Sequence, residues 1–386
     1  MLPVTPAALR GPRPPGQAPA AHFGPAASPE RRARHMTAPV LPHARRRPWR
    51  ALAIALAVAL AAASSAVLII RDAGTGPQVR FVNTAAEKAL AAYPNPGYVT
   101  GSTGAHDPSA VRAPNGTYIV VTTGDNIPIK TSTDRTAWRN AGAAFPGGAP
   151  WTTSYTGGSR SLWAPDISYR NGQFYLYYSA STFGSQHSAI FLATSPTGAS
   201  GTWTNRGKVI ESSGSVNYNA IDPNLVVDGS GQWWLTFGSF WSGIKMIRLD
   251  AGSGLRSTSD TSVRSIASRG GGPIEAPFIY RHGGYYYLFV SFDYCCRGAA
   301  STYRVMVGRS ASITGPYTDR NGVSMNSGGG TEILAGHGSI HGPGHEAVLS
   351  DVDGDVLFYH YYADSGASYL GINLIGWDGA AWPYVY

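Results

Sequence analysis

Five residues of this chain that could do chemistry each begin a similar ten-residue unit. They are Asp107, Trp163, Asp222, Glu275 and His345, and the units are DPSAVRAPNG, WAPDISYRNG, DPNLVVDGSG, EAPFIYRHGG and HEAVLSDVDG. Taken singly, each acid is also explained as a cap or a solvated turn residue. Carboxyl groups that are brought together raise one another's pKa, however, so a clustered set indicates acid and base catalysis or cation binding.

The elements that must position these residues are β-hairpins. Every unit ends in glycine and runs into an aromatic strand such as QFYLYYSA or YYYLFVS, which is typical of a hairpin with a glycine-bearing turn. The spacings between the five terminal glycines are 56, 59, 53 and 70 residues. This period predicts an all-β fold, a five-bladed β-propeller, in which equivalent positions near the axis meet in one pocket.

Composition limits the function classes. The chain has 386 residues, enough for one domain of roughly 300 residues and an N-terminal extension. All of the formal net charge of +8 lies in residues 1–72, which hold ten Arg against Glu30 and Asp72, so the propeller itself is neutral. A neutral domain excludes a nucleic-acid partner, whereas abundant aromatic residues suit stacking on sugars.

The N-terminal part divides by composition. Residues 1–44 are rich in Pro, Arg and Ala and are predicted to be disordered. Residues 45–72 contain a basic start and the uncharged run 51–70, which is typical of an export signal that is either cleaved or kept as a membrane anchor. A linker at 73–96 then leads to the catalytic domain, 97–386, which we expect to be extracellular and monomeric.

The two cysteines of the chain, Cys295 and Cys296, are adjacent. In an oxidising compartment they could form a vicinal disulfide, and the alternative is a pair of buried thiols.

Several short motifs resemble those of glycoside hydrolase family 43. They are HDP at 106–108, NAIDPN at 219–224, IEAP at 274–277 and GPGH at 342–345. The strings LWAPD, STFGSQ, GSFWSGI and SFDYCCRG further resemble the endo-acting α-1,5-L-arabinanases of that family. The resemblance runs from about Gly97 to the C-terminus and implies hydrolysis of arabinan and arabino-oligosaccharides with inversion.

The resemblance also implies residue roles. Asp107 would be the general base, Glu275 the general acid, and Asp222 the residue that orients the acid and adjusts its pKa. His345 would face a central Ca²⁺. Because Ca²⁺ takes six to eight oxygen ligands, water would fill most of its coordination shell; a histidine hydrogen-bonded to carboxylates is the alternative.

Further residues are candidates for contact with sugar. They begin or precede a unit, or follow the second strand of a hairpin, which places them in or at the rim of the same pocket. The candidates are Trp163, Gly184, Asn219, Ala220, Ile221, Ser239, Phe240 and Trp241. For the two tryptophans the alternative is a position in the hydrophobic core.

Two other functions are compatible with the sequence. One is an exo-acting α-L-arabinofuranosidase or β-xylosidase, which would need a loop that blocks one end of the cleft. The other is a noncatalytic glycan-binding propeller. The presence of Asp107, Asp222 and Glu275 argues against it.

Overall fold

The computed structural model describes residues 66–70, 78–82 and 93–386. The chain divides into two compact units, Met1–Thr84 and Ala85–Tyr386. In the first unit, β1 (Ala66–Ile70) pairs with β2 (Gln78–Val82) as an antiparallel hairpin. The predicted disordered extension lies outside the described residues, and so does the predicted export segment except for 66–70, which is a strand. Among the described residues, we find no helix with the length and apolar character needed to cross a membrane.

The regular secondary structure described in the second unit is almost entirely β-strand. In chain order they are β3 (Thr100–Gly101), β4 (Ser109–Arg112), β5 (Tyr118–Val121), β6 (Gly124–Asp125), β7 (Pro128–Ser132), β8 (Ala137–Ala143), β9 (Ser161–Arg170), β10 (Gln173–Ala180), β11 (Ser188–Ser195), β12 (Thr204–Ser212), β13 (Asn224–Val227), β14 (Trp233–Phe237), β15 (Ile244–Arg248), β16 (Arg264–Ala267), β17 (Ile274–His282), β18 (Tyr285–Phe292), β19 (Arg304–Ser310), β20 (Thr331–Ala335), β21 (His341–Asp351), β22 (Gly354–Tyr362), β23 (Ser368–Trp377) and β24 (Pro383–Val385). The helices are short: α1 (Thr153–Thr156) and the 3₁₀ turns Pro150–Thr152, Gly298–Ala300 and Met325–Ser327.

These strands form five sheets, which are the five blades of the predicted propeller. Their strand orders are β3-β8-β7-β5-β4, β12-β11-β10-β9-β6, β13-β14-β15-β16, β17-β18-β19-β20 and β21-β22-β23-β24, numbered blades I to V. Each predicted hairpin is present as an antiparallel pair at the start of its blade. The all-β, five-bladed architecture is therefore confirmed.

The aromatic second strands hold the blades together. Every residue of β14 is buried, and Tyr177, Tyr287 and Tyr359 of β10, β18 and β22 are wholly inaccessible to solvent. A strand that is covered on both faces needs apolar residues at successive positions rather than alternate ones. This requirement explains why these strands read as continuous aromatic runs.

The segment preceding β4 joins blade I to blade V. The N–H of Gly97 donates to the carbonyl of Ile372 at 2.8 Å, and the N–H of Leu370 donates to Thr103 at 2.8 Å. On its other side, β3 pairs in parallel with β8 of blade I. Backbone hydrogen bonds from residues 97–105 therefore close the ring.

The five units share a backbone kink near the axis. At this kink, a non-glycine residue of each blade has a left-handed conformation: Asp107 (φ 47°), Ala164 (φ 46°), Asp222 (φ 58°), Ala276 (φ 55°) and His345 (φ 51°). Trp163 and Glu275 therefore lie one residue before the kink, although the sequence units predicted them to be equivalent to the other three. The pairing of the first two strands also shifts register here in blades II, IV and V alike, so the shift does not explain the difference. The turns do: Gly172 and Gly284 are the second residues of two-residue turns, whereas Gly116 and Gly231 end three-residue turns and Gly354 follows its turn.

Asp166 of β9 connects three blades. Its Oδ1 accepts hydrogen bonds from Ser109 Oγ (3.4 Å) in blade I and Asn224 Nδ2 (3.2 Å) in blade III, and its Oδ2 accepts one from the N–H of Leu225 (2.8 Å). Burial raises the pKa of Asp166 to about 6, against the opposing effect of these donors.

We expect Asp166→Ala to destabilise the propeller markedly. The substitution leaves the buried N–H of Leu225 and two side-chain donors without their acceptor, and an unsatisfied buried polar group costs about 1–3 kcal/mol. The thermal midpoint, followed by circular dichroism, should fall by several degrees. Asp364→Ala, the same change at an exposed position, should leave it unaltered. Equal midpoints for both variants would contradict this role.

Candidate active site

Three histidines surround the carboxylate of Asp107. Its Oδ1 is 3.1 Å from Nδ1 of His345 and 3.5 Å from both Nε2 of His106 and Nδ1 of His360. Its Oδ2 accepts a 2.6 Å hydrogen bond from Thr123 Oγ1. Burial favours the neutral acid, but the charges of His106 and His345 outweigh it and hold the pKa of Asp107 well below its usual value. Asp107 is consequently ionised at neutral pH.

Glu275 has the opposite protonation state. Burial and, next to it, the charge of Asp222 raise the pKa of Glu275 to about 8. Ser239 Oγ donates to its Oε2 at 2.6 Å, and the hydroxyl of Tyr303 donates to its Oε1. Glu275 is therefore a buried, protonated acid at neutral pH, and hydroxyl groups hold both of its oxygens in place.

Asp222 is held beside Glu275 by the backbone. Its Oδ2 accepts a 3.0 Å hydrogen bond from the N–H of Ala276, the residue after Glu275, and its own N–H donates to Ser179 Oγ at 3.0 Å. Burial raises the pKa of Asp222 to about 6, although the nearby charge of His345 opposes this. At neutral pH Asp222 is mostly ionised, so its charge favours the protonated form of Glu275.

His345 and its neighbour Glu346 complete the centre. Burial opposes a charge on His345, but Asp107 raises the pKa of the imidazole to about 9. Ser291 Oγ accepts from the N–H of His345 (2.8 Å) and donates to Glu346 Oε2 (3.0 Å). Glu346 Oε1 is buried and has no hydrogen-bond partner in the described part of the chain. Burial raises the pKa of Glu346 to about 7.

The predicted segment Ser239–Trp241 lies against Glu275. Phe240 and Trp241 are partly exposed and adopt left-handed conformations at φ 50° and 38°. Such conformations cost free energy in residues other than glycine, and they persist where the surroundings impose them. Here the N–H of Phe240 donates to Ile274, which immediately precedes Glu275, and Ser239 reaches the carboxyl group itself.

The other predicted sugar contacts occupy two kinds of position. Gly184 is in an exposed turn with φ 76°, whereas Trp163 is half-buried beside the kink of blade II. Asn219, Ala220 and Ile221 are buried, and Ala220 belongs to a hydrophobic cluster of blades II and III. Contact of these residues with a sugar stays a prediction.

Sequence reasoning did not select several side chains that shape the site. They are His106, Thr123, Ser179, Ser291, Tyr303, Glu346 and His360. His106 was visible within the HDP string. Nothing local marked Tyr303 or His360, because each approaches the carboxyl groups from a strand or loop distant in sequence.

Cys295 and Cys296 form a disulfide with an S–S distance of 2.14 Å. Cys296 is exposed and Cys295 is partly exposed, so the alternative of two buried thiols is wrong.

Comparison with known proteins identifies relatives over the whole propeller. Residues 97–382 match the family model for glycosyl hydrolases family 43. The chain is 44% identical over 286 residues to the extracellular endo-α-(1→5)-L-arabinanase 1 of Bacillus subtilis (strain 168), covering 72% of this chain and 86% of that protein.

Solved structures agree with this match. An endo-arabinanase from Bacillus licheniformis superposes with a TM-score of 0.70 at 45% identity, covering 74% of this chain and 99% of that structure. An exo-1,5-α-L-arabinanase from a bovine ruminal metagenomic library gives the same TM-score at 40% identity, with coverage of 75% and 99%. With the family model spanning its five blades, this chain belongs to glycosyl hydrolase family 43.

Proposed function

We propose that the protein is an endo-acting glycoside hydrolase that cleaves internal α-1,5-L-arabinofuranosidic bonds of arabinan. The observation that carries the proposal is the pairing in one buried site of an ionised carboxylate, Asp107, with a protonated one, Glu275. Glycoside hydrolysis requires such a pair, because one group must give a proton while the other takes one. The relatives named as endo-arabinanases supply the substrate class.

In the proposed mechanism, Glu275 donates its proton to the glycosidic oxygen as the bond to the anomeric carbon breaks. Asp107 accepts a proton from a water molecule whose oxygen attacks that carbon from the opposite face. Ser239 and Tyr303 orient the carboxyl group of Glu275, and Asp222 keeps its pKa high. The products are a sugar with a new hydroxyl group at the anomeric carbon and the released 5-hydroxyl of its neighbour.

This mechanism inverts the anomeric configuration. An α-linked substrate should therefore release β-configured reducing ends first, which proton NMR can detect before mutarotation. Initial release of the α-anomer would overturn the assignment of Asp107 as a base that activates water.

Asp222→Asn should shift the alkaline limb of the pH profile to lower pH. Burial and the charge of Asp222 raise the pKa of Glu275 to about 8. The acid is therefore fully protonated at low pH and loses its proton as pH rises through 8. Removing the charge of Asp222 removes one of these causes, so kcat/KM should begin to fall at a lower pH than in the wild type. Initial rates on debranched arabinan between pH 5 and 10 measure the shift; an alkaline limb at the wild-type position would contradict the role of Asp222.

We also propose a Ca²⁺ site near His345. Two donors would contribute to a water-rich shell: the imidazole of His345, once the cation has displaced the proton that Asp107 stabilises on it, and the buried Glu346 Oε1, which has no hydrogen-bond partner among the described residues. A bound cation would supply positive charge that lowers the pKa of the nearby carboxyl groups. Elemental analysis of purified protein should find Ca²⁺ in the wild type and less in His345→Ala; equal content would place the metal elsewhere.

The location and assembly are proposals as well. The basic, apolar segment 45–72 supports export of the protein, and the B. subtilis relative is named extracellular. We propose that the propeller acts as a monomer outside the cell. Light scattering of the full-length protein and immunodetection in culture medium test the two statements.

Product analysis tests the proposed function and separates it from the second candidate, an exo-acting arabinanase, which the ruminal relative favours. Purified protein is incubated with debranched α-1,5-arabinan and sampled early. A ladder of mixed arabino-oligosaccharides is expected for endo cleavage. Release of one short product from the start would assign the exo mode, and no release would indicate a noncatalytic glycan-binding propeller.

A further inference from the structure

The Cys295–Cys296 disulfide touches the residues around Asp107. It lies in the turn after β18, which we call the disulfide turn (residues 293–300). The N–H of Cys296 donates to the hydroxyl oxygen of Tyr362 at 3.0 Å, and Cys296 Sγ is 3.7 Å from Nε2 of His106. The same Tyr362 oxygen is 3.4 Å from Nδ1 of His106. The disulfide turn of blade IV and Tyr362 of blade V therefore contact both ring nitrogens of His106.

His106 in turn contacts the proposed base. Its Nε2 is 3.5 Å from Oδ1 of Asp107, and its ring lies over that of His360 with the centroids 4.3 Å apart. Nδ1 of His360 accepts the backbone N–H of Asp107 at 3.1 Å. A displacement of His106 would therefore reach Asp107 both directly and through His360.

The disulfide turn is firmly anchored at its start. Asp293 accepts hydrogen bonds from Arg269 Nη1 and Arg304 Nε, both at 2.8 Å. Asp293 and Cys296 have left-handed backbones, at φ 71° and 66°, a conformation that persists only where the surroundings impose it. The exposed sulfur of Cys296 is thereby held over His106.

We propose that the Cys295–Cys296 disulfide is a positioning element that holds His106 against Asp107 and so keeps the base in its reactive placement. The kinetic part of this inference rests on the proposed function. Reduction by a dithiol breaks the S–S bond with two electrons and two protons, leaving two thiols and the oxidised dithiol. The freed Cys296 sulfur then no longer constrains His106, and the enzyme becomes sensitive to the thiol state of its surroundings.

A double-mutant cycle tests the coupling. We expect Cys295→Ser with Cys296→Ser to lower kcat on debranched arabinan about tenfold while KM stays nearly constant, because misplacing a reacting group costs rate rather than binding. Adding both substitutions to His106→Gln should cause no further loss beyond that of His106→Gln alone. Additive losses, or a rise in KM at constant kcat, would overturn the proposal. Arg297→Ala, in the same turn, should keep the wild-type kcat, and reoxidation of the reduced wild type should restore it.

Chemical labelling provides a readout that does not depend on activity. Carbethoxylation of His106 by diethylpyrocarbonate, quantified by mass spectrometry, should increase several-fold when the disulfide is reduced or replaced by serines. The exposed His187, whose ring stacks on that of Tyr155, serves as the internal reference. Unchanged labelling of His106 would overturn the proposal even in a protein that does not cleave arabinan, whereas increased labelling without any wild-type turnover would contradict only the proposed function.

Discussion

Glu275→Gln should lower kcat on debranched arabinan about a thousandfold, within the range reported for loss of a general acid. The glutamine keeps the size of the side chain but has no proton of suitable acidity for the leaving oxygen. A substrate with a nitrophenyl leaving group should lose much less rate, since nitrophenolate departs without protonation. This contrast between the two substrates is the measurement that identifies the acid.

The loss should not come from unfolding. With its pKa raised to about 8, Glu275 stays protonated at pH 7 in the folded protein, whereas in the unfolded chain it is ionised at that pH. The contribution of this group to folding stability is therefore present only at low pH and is lost as pH rises. A neutral glutamine avoids this penalty, and the thermal midpoint at pH 7 should be unchanged or higher. Glu211→Gln, the same change at an exposed salt bridge, is the matched control. Full activity in folded Glu275→Gln would remove this residue from the mechanism.

Asp107→Ala should reduce turnover by a similar factor, about a thousandfold, for a different reason. Without the carboxylate nothing takes the proton from the attacking water, so arabinan and nitrophenyl substrates should lose rate equally. Azide is nucleophilic without deprotonation, and it should restore turnover and give a β-configured glycosyl azide. Mass spectrometry and NMR of the products check both expectations.

A structural cause for this loss can be separated from a chemical one. Removing Asp107 also removes the charge that raises the pKa of His345, so the imidazole should titrate at lower pH in the variant. Asp353→Asn, in the exposed turn between β21 and β22, serves as the control and should behave as the wild type. An Asp107→Ala variant whose rate azide does not restore, or whose loss depends on the leaving group, would contradict its role as the base.

The sequence by itself determined the architecture and most of the centre. Glycine turns and aromatic strands are local features, and their repetition at a blade-sized period predicted both the five blades and the meeting of Asp107, Asp222, Glu275 and His345. This inference succeeded because a closed ring brings the start of every blade to the same axis. It erred by one residue at Trp163 and Glu275, because the units were aligned on glycines that occupy different positions in turns of different length.

Only the tertiary structure decided the protonation states. Asp107 and Glu275 are both acidic residues close to a proline, yet His106 of blade I and two histidines of blade V hold the first ionised, while burial and Asp222 keep the second protonated. The histidines around Asp107 come from segments far apart in the chain, and so do the disulfide turn and the hydroxyl of Tyr303. Electrostatic energies depend on distances and burial, which the fold creates and the order of residues does not state.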